Sequence, residues 1–277
     1  MTNPIATPLV EDVDTGELDG LIRLDTHADG AVVINLLQPA LNGAVAAALT
    51  EAFETLHGAD HVRVVFIKGA GKTFCTGVDR AWLKVAAEDW SEADLRDEGL
   101  RVVGMYRALT AIPALTVALI EGEAIGGGAG LAAACDLAVA TVDTRFAFPE
   151  VTHGAVAALV APFVVNAIGP RQTKALFATG RAFDAAYAEK IGLIHEIVED
   201  AEGLKAAAER MTEQALAAAP GAVAASKKLV WEVWAQAQNH ALLQDIAHRF
   251  AQSRFSEEGR EGLAASLVGR RPNWAGD

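Results

Sequence analysis

With 277 residues, the chain is long enough for one large domain with a substantial core, or for one domain with an appendage. Hydrophobic residues make up 52% and charged residues 21%, which is typical of a soluble globular protein, and no stretch approaches the ~20 consecutive apolar residues of a membrane-spanning helix. The net charge of −13 disfavours nucleic acid as a partner, because such a surface repels phosphate backbones. A phosphorylated small molecule is not excluded, since a few lysines or a helix N-terminus can hold one.

The N-terminal segment, residues 1–18, is predicted to be a flexible arm, because it combines acids and prolines. It lacks the basic start and apolar core of a signal peptide, so we expect a cytoplasmic protein. The two cysteines, Cys75 and Cys135, form no CxxC pair, and neither a disulfide framework nor a zinc ribbon is expected.

The predicted elements begin with a β-hairpin and a helix. Residues 21–27 and 31–37 flank a turn and predict the hairpin, and residues 44–58 follow with helical spacing that places Leu49, Phe53 and Leu56 on one side. The later elements are a buried strand (62–69), a long helix from Ser91 to Ile112, strands at 114–122 and 136–141, and only helices after about residue 200. Strands that alternate with helices indicate an α/β protein with a parallel sheet.

Two glycine-marked turns, residues 69–79 and 121–131, each follow a buried strand and lead toward a helix. Glycine lets the backbone approach a ligand closely, so two such turns side by side could direct two N–H groups at one oxygen atom and form an oxyanion hole. Spacing alone leaves open that both are ordinary strand-to-helix turns. A dinucleotide-binding loop is disfavoured, because the second turn reads Gly-Gly-Gly-Ala-Gly from Gly126 to Gly130 and not GxGxxG.

Five segments in this order and spacing resemble the crotonase superfamily, the enoyl-CoA hydratases and isomerases, over nearly the whole chain. They are LQPALN (37–42), GKTFCTGVD (71–79), IEGEAIGGGAGLAAACDLAVA (120–140), FAFPEVTHG (146–154) and EGLAASLVGRRP (261–272). The resemblance implies a crotonase-like spiral core of repeated ββα units over residues 19–200. It also implies a helical C-terminal trimerisation region over residues 201–277, in a homotrimer or a dimer of trimers.

The resemblance also assigns roles to residues. The oxyanion-hole N–H groups would belong to Val78 and Gly127, and the acid/base would be Glu150. Hydratases of the family typically have a second glutamate, and Gly130 stands in its place here. The single-glutamate pattern looks like the isomerases, and also like a bacterial branch related to 3-methylglutaconyl-CoA hydratases, to which the segments around 126–140 and 160–200 are most similar.

These likenesses favour an enoyl-CoA hydratase or dehydratase acting on a branched acyl group, with a Δ3,Δ2-enoyl-CoA isomerase as the alternative. Coenzyme A would be part of the substrate, and no separate cofactor is expected. Substrate contacts are expected from Cys75, Gly77, Asp79, Trp82, Gly126, Gly130, His153, Lys72 and Lys84.

Several of these residues also have a structural interpretation. Cys75 is expected to be a buried small side chain, Asp79 a brace for its own loop, and His153 a loop residue with local hydrogen bonds. A metal at Glu150 and His153 is disfavoured, because the Glu-x-x-His arrangement needs a helix. Lys227 and Lys228 are further candidates for the CoA phosphates, and Trp231 and Trp234 are expected in core or subunit packing.

Two functions of other classes stay open at this point. A serine-type peptidase would share the spiral fold, but no nucleophilic serine with a histidine partner lies near the two turns. A non-catalytic RNA-binding or scaffold role is known among such folds, and the net charge of −13 argues against it.

Overall fold

The computed structural model describes residues 14–69, 71–234, 236 and 239–275. The strands are β1 Asp14–Leu18, β2 Ile22–Thr26, β3 Ala31–Leu36, β4 Val64–Gly69, β5 Leu115–Ile120, β6 Glu123–Ile125, β7 Leu137–Thr141, β8 Arg145–Ala147, β9 Phe183–Asp184 and β10 Glu196–Val198. The helices are α1 Gly43–His57, α2 Arg80–Asp89, α3 Glu92–Ala111, α4 Gly127–Ala134, α5 Ala161–Thr179, α6 Ala185–Ile191, α7 Ala201–Ala217, α8 Pro220–Val233, α9 His240–Phe255 and α10 Glu257–Val268. Short 3₁₀ helices lie at Pro149–His153 and Asn273–Ala275.

The N-terminal arm is shorter than predicted. Residues 1–13 lie outside the described residues, but residues 14–18 form β1, which pairs antiparallel with β2. The turn between them uses two left-handed residues, Asp19 and Gly20. Composition alone suggested a loose segment here, whereas the free edge of β2 offers backbone hydrogen bonds that an extended segment can complete.

The large sheet has the order β1-β2-β3-β4-β5-β7-β10, and the five strands from β3 onward are parallel. β5 and β7 are each followed by a short strand of a second sheet and then by a helix: β5, β6, α4 and β7, β8, α5. After β4, a single bridge at Cys75 takes the place of the short strand before α2. This repetition confirms the expected spiral of ββα units, whose second sheet the apolar pattern did not reveal because its strands have only two or three residues.

The core lies on both faces of the large sheet. In β4, Val65 and Ile67 face the main hydrophobic cluster beneath α1 and α3, while Val64 and Phe66 face a smaller cluster beneath α7. This alternation follows from the two-residue period of a strand, and burial on both faces explains why the segment reads as continuously apolar. The predicted stripe of α1 is confirmed, since Leu49, Phe53 and Leu56 are all buried.

Helix α3 begins and ends close to its predicted limits. Ser91 is the N-cap, and the Ser91 N–H donates to the Asp94 carboxylate at 2.9 Å in a capping box. The helix ends at Ala111, two residues before Pro113, as proline requires. Helix α2 is the helix toward which the first glycine-marked turn leads, and Asp79 caps it by accepting a hydrogen bond from the Trp82 N–H at 2.9 Å. No helix of the described ranges is long and apolar enough to cross a membrane.

Two cations fasten the C-terminal helices to the sheet. Arg63 donates to three carbonyl groups at the end of α7, those of Ala215, Leu216 and Ala218, at 2.6–3.3 Å. Lys227 of α8 forms an ion pair with Asp136 at 2.6 Å and donates to the carbonyls of Ile112 and Ala114 at 2.7 and 2.6 Å. These carbonyls lie at helix and strand ends, where they have no regular partner.

The two tryptophans of the C-terminal region are not in the core of this chain. Trp231 is 48% exposed and Trp234 is 61% exposed. The interpretation as core residues is therefore wrong, because α8 turns this face away from the sheet. Their packing against another subunit stays a prediction.

Loss of Lys227 should destabilise the fold. In Lys227→Met, Asp136 and two carbonyls lose their donor, and we expect the free energy of unfolding to fall by about 2–3 kcal/mol, somewhat less than the ~3–5 kcal/mol for a fully buried pair. Lys228→Met is the matched control, because Lys228 is 72% exposed and only 3.7 Å from Glu232. Urea unfolding at a fixed protein concentration measures both, and equal stability of the two variants would contradict the assignment.

Candidate functional site

The two glycine-marked turns lie side by side. The Cys75 N–H donates to the Glu123 carbonyl at 2.8 Å, and the Ile125 N–H donates to the Cys75 carbonyl at 2.9 Å. The two turns follow β4 and β5, which are neighbouring parallel strands and therefore end at the same edge of the sheet. The arrangement that the sequence analysis required for two convergent N–H groups is therefore present.

Glycine is required where the two turns touch. Gly77 has φ +90°, and a Cβ atom there would lie 3.0 Å from the Ile125 carbonyl oxygen. A Cβ atom at Gly128 would lie 2.6 Å from the Cys75 carbonyl oxygen, closer than real Cβ atoms approach. The backbones can meet at this distance only because both positions lack a side chain.

The backbone on both sides of Val78 is fixed by Leu41. The Leu41 N–H donates to the Gly77 carbonyl at 2.7 Å, and the Asp79 N–H donates to the Leu41 carbonyl at 2.8 Å. The N–H of Val78 itself donates to no acceptor among the residues that the structure describes. It remains available to a ligand.

Gly127 is the first residue of α4. Its predecessor Gly126, the N-cap residue, has φ +51° and donates its N–H to the Ala147 carbonyl at 2.8 Å. Within the described ranges, no acceptor receives the Gly127 N–H, as expected for the first turn of a helix. The positive end of the helix dipole adds to the attraction for negative charge at this point.

Glu150 reaches the same place from the 3₁₀ helix Pro149–His153. Its Oε1 lies 2.9 Å from the position that a Cβ atom of Gly126 would occupy, and its Oε2 is buried with no hydrogen-bond partner in the described structure. Burial raises the pKa of the Glu150 carboxyl above its ordinary value, and the charge of nearby His153 only partly opposes this.

The position of the second family glutamate is closed by neighbouring side chains. A Cβ atom at Gly130 would overlap Val160 and would lie 3.1 Å from the Tyr106 hydroxyl oxygen. Val160 and Tyr106 are 4% and 0% exposed. At Gly130 the carboxylate is thus absent, and the space that its side chain would need is filled by Val160 and Tyr106.

Three predicted site residues have the structural roles expected of them. Asp79 caps α2, and His153 makes local bonds, with Nδ1 3.1 Å from the Thr152 hydroxyl oxygen and 3.3 Å from the Pro149 carbonyl oxygen. Cys75 is fully buried, and desolvation raises the pKa of its thiol to about 11, so little thiolate forms near neutrality. Direct substrate contacts from these residues stay predictions.

The lysines proposed for the CoA phosphates divide into two groups. Lys72 and Lys84 are exposed, and Lys84 has only a 3.9 Å pairing with Glu88, so both can turn toward a ligand. Lys227 is committed to Asp136 and cannot, which corrects that candidate. Trp82 is half-buried and packs edge-on against Trp90 at 5.1 Å between ring centroids.

Sequence reasoning did not single out three residues whose surroundings the structure reveals. Tyr106 and Val160 read as ordinary apolar positions of their segments. Glu98 is buried in α3 with its Oε2 paired to Arg101, while its Oε1 lies against Gly43 and lacks a hydrogen-bond partner among the described atoms. A buried acid has no signature in a helix that carries many exposed acids.

No group of three or more His, Cys, Asp or Glu side chains is placed to hold a metal ion in the part of the chain that the structure describes. Glu150 and His153 thus lie beside one another without a third such side chain. The geometry consists of two unpaired N–H groups and one half-buried carboxylate, whose Oε2 is buried.

Known proteins resemble this chain over most of its length. The family described as enoyl-CoA hydratase/isomerase matches residues 26–277. A protein of Thermus thermophilus is 35% identical over 190 residues, which cover 69% of this chain and 74% of that protein. The mitochondrial enoyl-CoA hydratase domain-containing protein 2 of Bos taurus is 32% identical, over 86% of this chain and 80% of that protein.

Solved structures extend the likeness to the fold. AtuE of Pseudomonas aeruginosa superimposes with a TM-score of 0.87 at 34% identity, covering 92% of this chain and 99% of that chain. A match over residues 26–277 includes both turns, Glu150 and the C-terminal helices. The chain has the crotonase fold and belongs to the enoyl-CoA hydratase/isomerase family.

Proposed function

We propose that the protein is an enoyl-CoA hydratase or dehydratase that works through a thioester enolate. The observation that supports this most directly is the placement of the Glu150 carboxylate beside Gly126, the residue before Gly127, in the turn that pairs with the turn of Val78. These are the parts that proton transfer next to a thioester carbonyl requires.

The two N–H groups would bind the thioester oxygen. Charge on that oxygen grows as the enolate forms, so fixed donors stabilise the transition state more than the ground state. The donors are backbone groups held by the Leu41 and Ala147 hydrogen bonds, and they need little reorganisation during the reaction. Removing one donor from such a site typically reduces kcat about 10²–10³-fold.

Glu150 would act as the single acid/base. Burial raises its pKa toward neutrality, where a carboxylate can both accept and return a proton. Its unpaired Oε2 leaves an acceptor free for a water molecule or a substrate proton. In hydration, Glu150 would deprotonate the water that adds at C3 and supply the proton at C2, and dehydration reverses these steps.

A Δ3,Δ2-enoyl-CoA isomerase is the second candidate, and Val160 favours it. This side chain fills the space beside Gly130 where a second carboxylate could hold the attacking water. With one carboxylate at the site, moving a proton between C2 and C4 of the acyl chain needs no further group.

The finer assignments rest on the resemblance. A branched acyl group of the 3-methylglutaconyl type is proposed from the likeness to that branch, and a cytoplasmic location stays a prediction. Trimer or hexamer formation is supported by large apolar side chains that the C-terminal helices expose. They are Val230, Trp231, Trp234, Leu243, Phe250, Phe255, Leu263, Leu267 and Val268.

Glu150→Gln should reduce turnover about 10²–10⁴-fold, because the amide cannot take up the proton, while acyl-CoA binding persists. The assay is a panel of straight and branched enoyl-CoA esters with products separated by mass, since hydration adds the mass of water and isomerisation leaves the mass unchanged. Glu189→Gln, at an exposed position of α6, is the matched control. Full activity of Glu150→Gln would exclude Glu150 as the acid/base.

The pH profile should report the raised pKa of Glu150. A base must be ionised, so kcat/KM should fall as the pH drops through that pKa, at a higher pH than an ordinary glutamate would give. In His153→Ala, Glu150 loses the neighbouring positive charge that lowers its pKa, and the acidic limb should move to higher pH. A limb that vanishes in His153→Ala would instead assign the titration to the histidine.

Gly130→Ala tests whether the space of the second glutamate is closed. The added methyl group overlaps Val160, and overpacking of this kind lowers the free energy of unfolding by about 1–3 kcal/mol. Gly104→Ala in α3, where nothing lies within 4 Å of the new Cβ, is the control and should gain about 0.5–1 kcal/mol. Val160→Ala combined with Gly130→Ala should recover part of the loss. A Gly130→Ala variant as stable as the control would contradict the conclusion that Val160 fills the space beside Gly130.

A further inference from the structure

The first turn of α4, which carries the Gly127 N–H, is rich in glycine and therefore has little intrinsic rigidity. Three of its first four residues are glycine: Gly127, Gly128 and Gly130. Each glycine is about 1 kcal/mol less favourable in a helix than alanine, because it gives up more backbone freedom. Intrinsic helix propensity therefore does not fix the direction of the Gly127 N–H, and other contacts must do so.

One side chain reaches this turn with a hydrogen bond. The Tyr106 hydroxyl, from α3, donates to the Gly127 carbonyl oxygen at 2.9 Å. The Tyr106 side chain is fully buried, and its ring packs 5.1 Å from that of Phe163. The turn also packs on the Cys75 backbone at Gly128 and on the side chains of Leu41 and Val160 at Gly127 and Gly130, and the Gly126 N–H donates to Ala147.

The glycines and the tyrosine are matched in shape. A Cβ atom at Gly127 or at Gly130 would lie 3.1 Å from the Tyr106 hydroxyl oxygen. A larger side chain at either position would displace the hydroxyl from the carbonyl. Desolvation raises the pKa of the Tyr106 hydroxyl, as do the charges of Cys75 and Glu150, so the group stays protonated and remains a donor at any working pH.

We propose that Tyr106 is the positioning residue of the oxyanion hole, which holds the Gly127 carbonyl and thereby fixes the direction of the Gly127 N–H. The carbonyl and the N–H of Gly127 belong to two peptide planes joined at one Cα atom. A bond that holds the carbonyl restricts rotation at that atom, where glycine itself imposes little restriction. This inference rests on the proposed function, because it gives Gly127 the role of donor.

Tyr106→Phe removes only the hydroxyl and is the direct test. The chain contains two tyrosines, so Tyr187→Phe is a matched control. The Tyr187 hydroxyl donates to the Gln172 side chain at 3.1 Å and makes no hydrogen bond to α4 among the described residues. We expect kcat of Tyr106→Phe to fall about tenfold with KM changed less than about threefold, since a misdirected donor weakens the transition state more than the ground state.

A spectroscopic readout separates positioning from general destabilisation. Crotonyl-CoA labelled with ¹³C at the thioester carbonyl should show a lowered carbonyl stretching frequency when bound, because hydrogen bonds weaken that bond. Tyr106→Phe should return the frequency toward its value in water and broaden the band, while Tyr187→Phe should match the unchanged protein. A bound-state band identical in Tyr106→Phe and the unchanged protein would falsify the positioning role.

A second measurement covers the case in which Tyr106→Phe fails to fold. In the Tyr187→Phe background Tyr106 is the only tyrosine, and 3-fluorotyrosine incorporation labels that position alone. Its ¹⁹F resonance should shift when crotonyl-CoA binds and not when free CoA binds, because only the former has the carbonyl that contacts Gly127. An unresponsive resonance overturns the inference.

The two proposals fail in different ways. If the unchanged protein binds crotonyl-CoA with a shifted carbonyl band and Tyr106→Phe does the same, only the inference about Tyr106 is overturned. If the unchanged protein binds the ester without any shift of that band, the oxyanion hole itself is absent, and both proposals are overturned.

Discussion

The close backbone contact between two neighbouring strand-to-helix turns is the constraint on which the site depends. The Cys75 backbone lies against Gly128 at a distance that real Cβ atoms do not show, and the Ile125 carbonyl lies against Gly77, where a Cβ atom would be tight and φ is +90°. Parallel pairing of β4 with β5 places both turns at one edge of the sheet. The Leu41 hydrogen bonds hold the turn at residues 69–79 in position. Two N–H groups are thereby left unpaired in a site made from backbone, whose geometry depends on the absence of side chains.

The acid of the site is held at a cost to stability. Folding places Oε2 of Glu150 in a buried position without a partner, so the folded protein disfavours its ionised form and raises the carboxyl pKa. The unfolded chain releases this proton at the ordinary pKa, so the free energy of unfolding declines as pH rises from that value to the raised one. The same burial that suits Glu150 to the proposed role of acid/base therefore destabilises the fold above that window. Tyr106 and Val160 close the opposite wall and leave no room for a second carboxylate.

The C-terminal helices are fastened to this core by cations that bind carbonyl groups at the ends of helices and strands. Arg63 donates hydrogen bonds to the last carbonyls of α7. Lys227 forms an ion pair with Asp136 and donates to two carbonyls near the end of α3. Carbonyl groups and a carboxylate between the helices and the sheet are thus each paired with a cation. The outward faces of α8 to α10, in contrast, expose large apolar side chains such as Trp234 and Phe250. One side of the region thus belongs to the fold of this chain, and the other has the composition of a contact surface.

The sequence by itself determined the elements with strong local signals. These were the buried parallel strands, the capped helix from Ser91, the amphipathic α1 and the glycine turns, because turn chemistry and hydrophobic period are properties of neighbouring residues. The choice of Glu150 as the acid rested on the family resemblance. It did not reveal β1, whose composition suggested a loose segment, or the small sheet, whose strands are too short for a period and pair with strands distant in the chain. Only the tertiary structure showed that Val160 and Tyr106 occupy the space beside Gly130, that Lys227 is committed to Asp136, and that Trp231 faces outward. Each of these depends on which side chain fills a particular volume, and that is decided by packing between segments far apart in sequence.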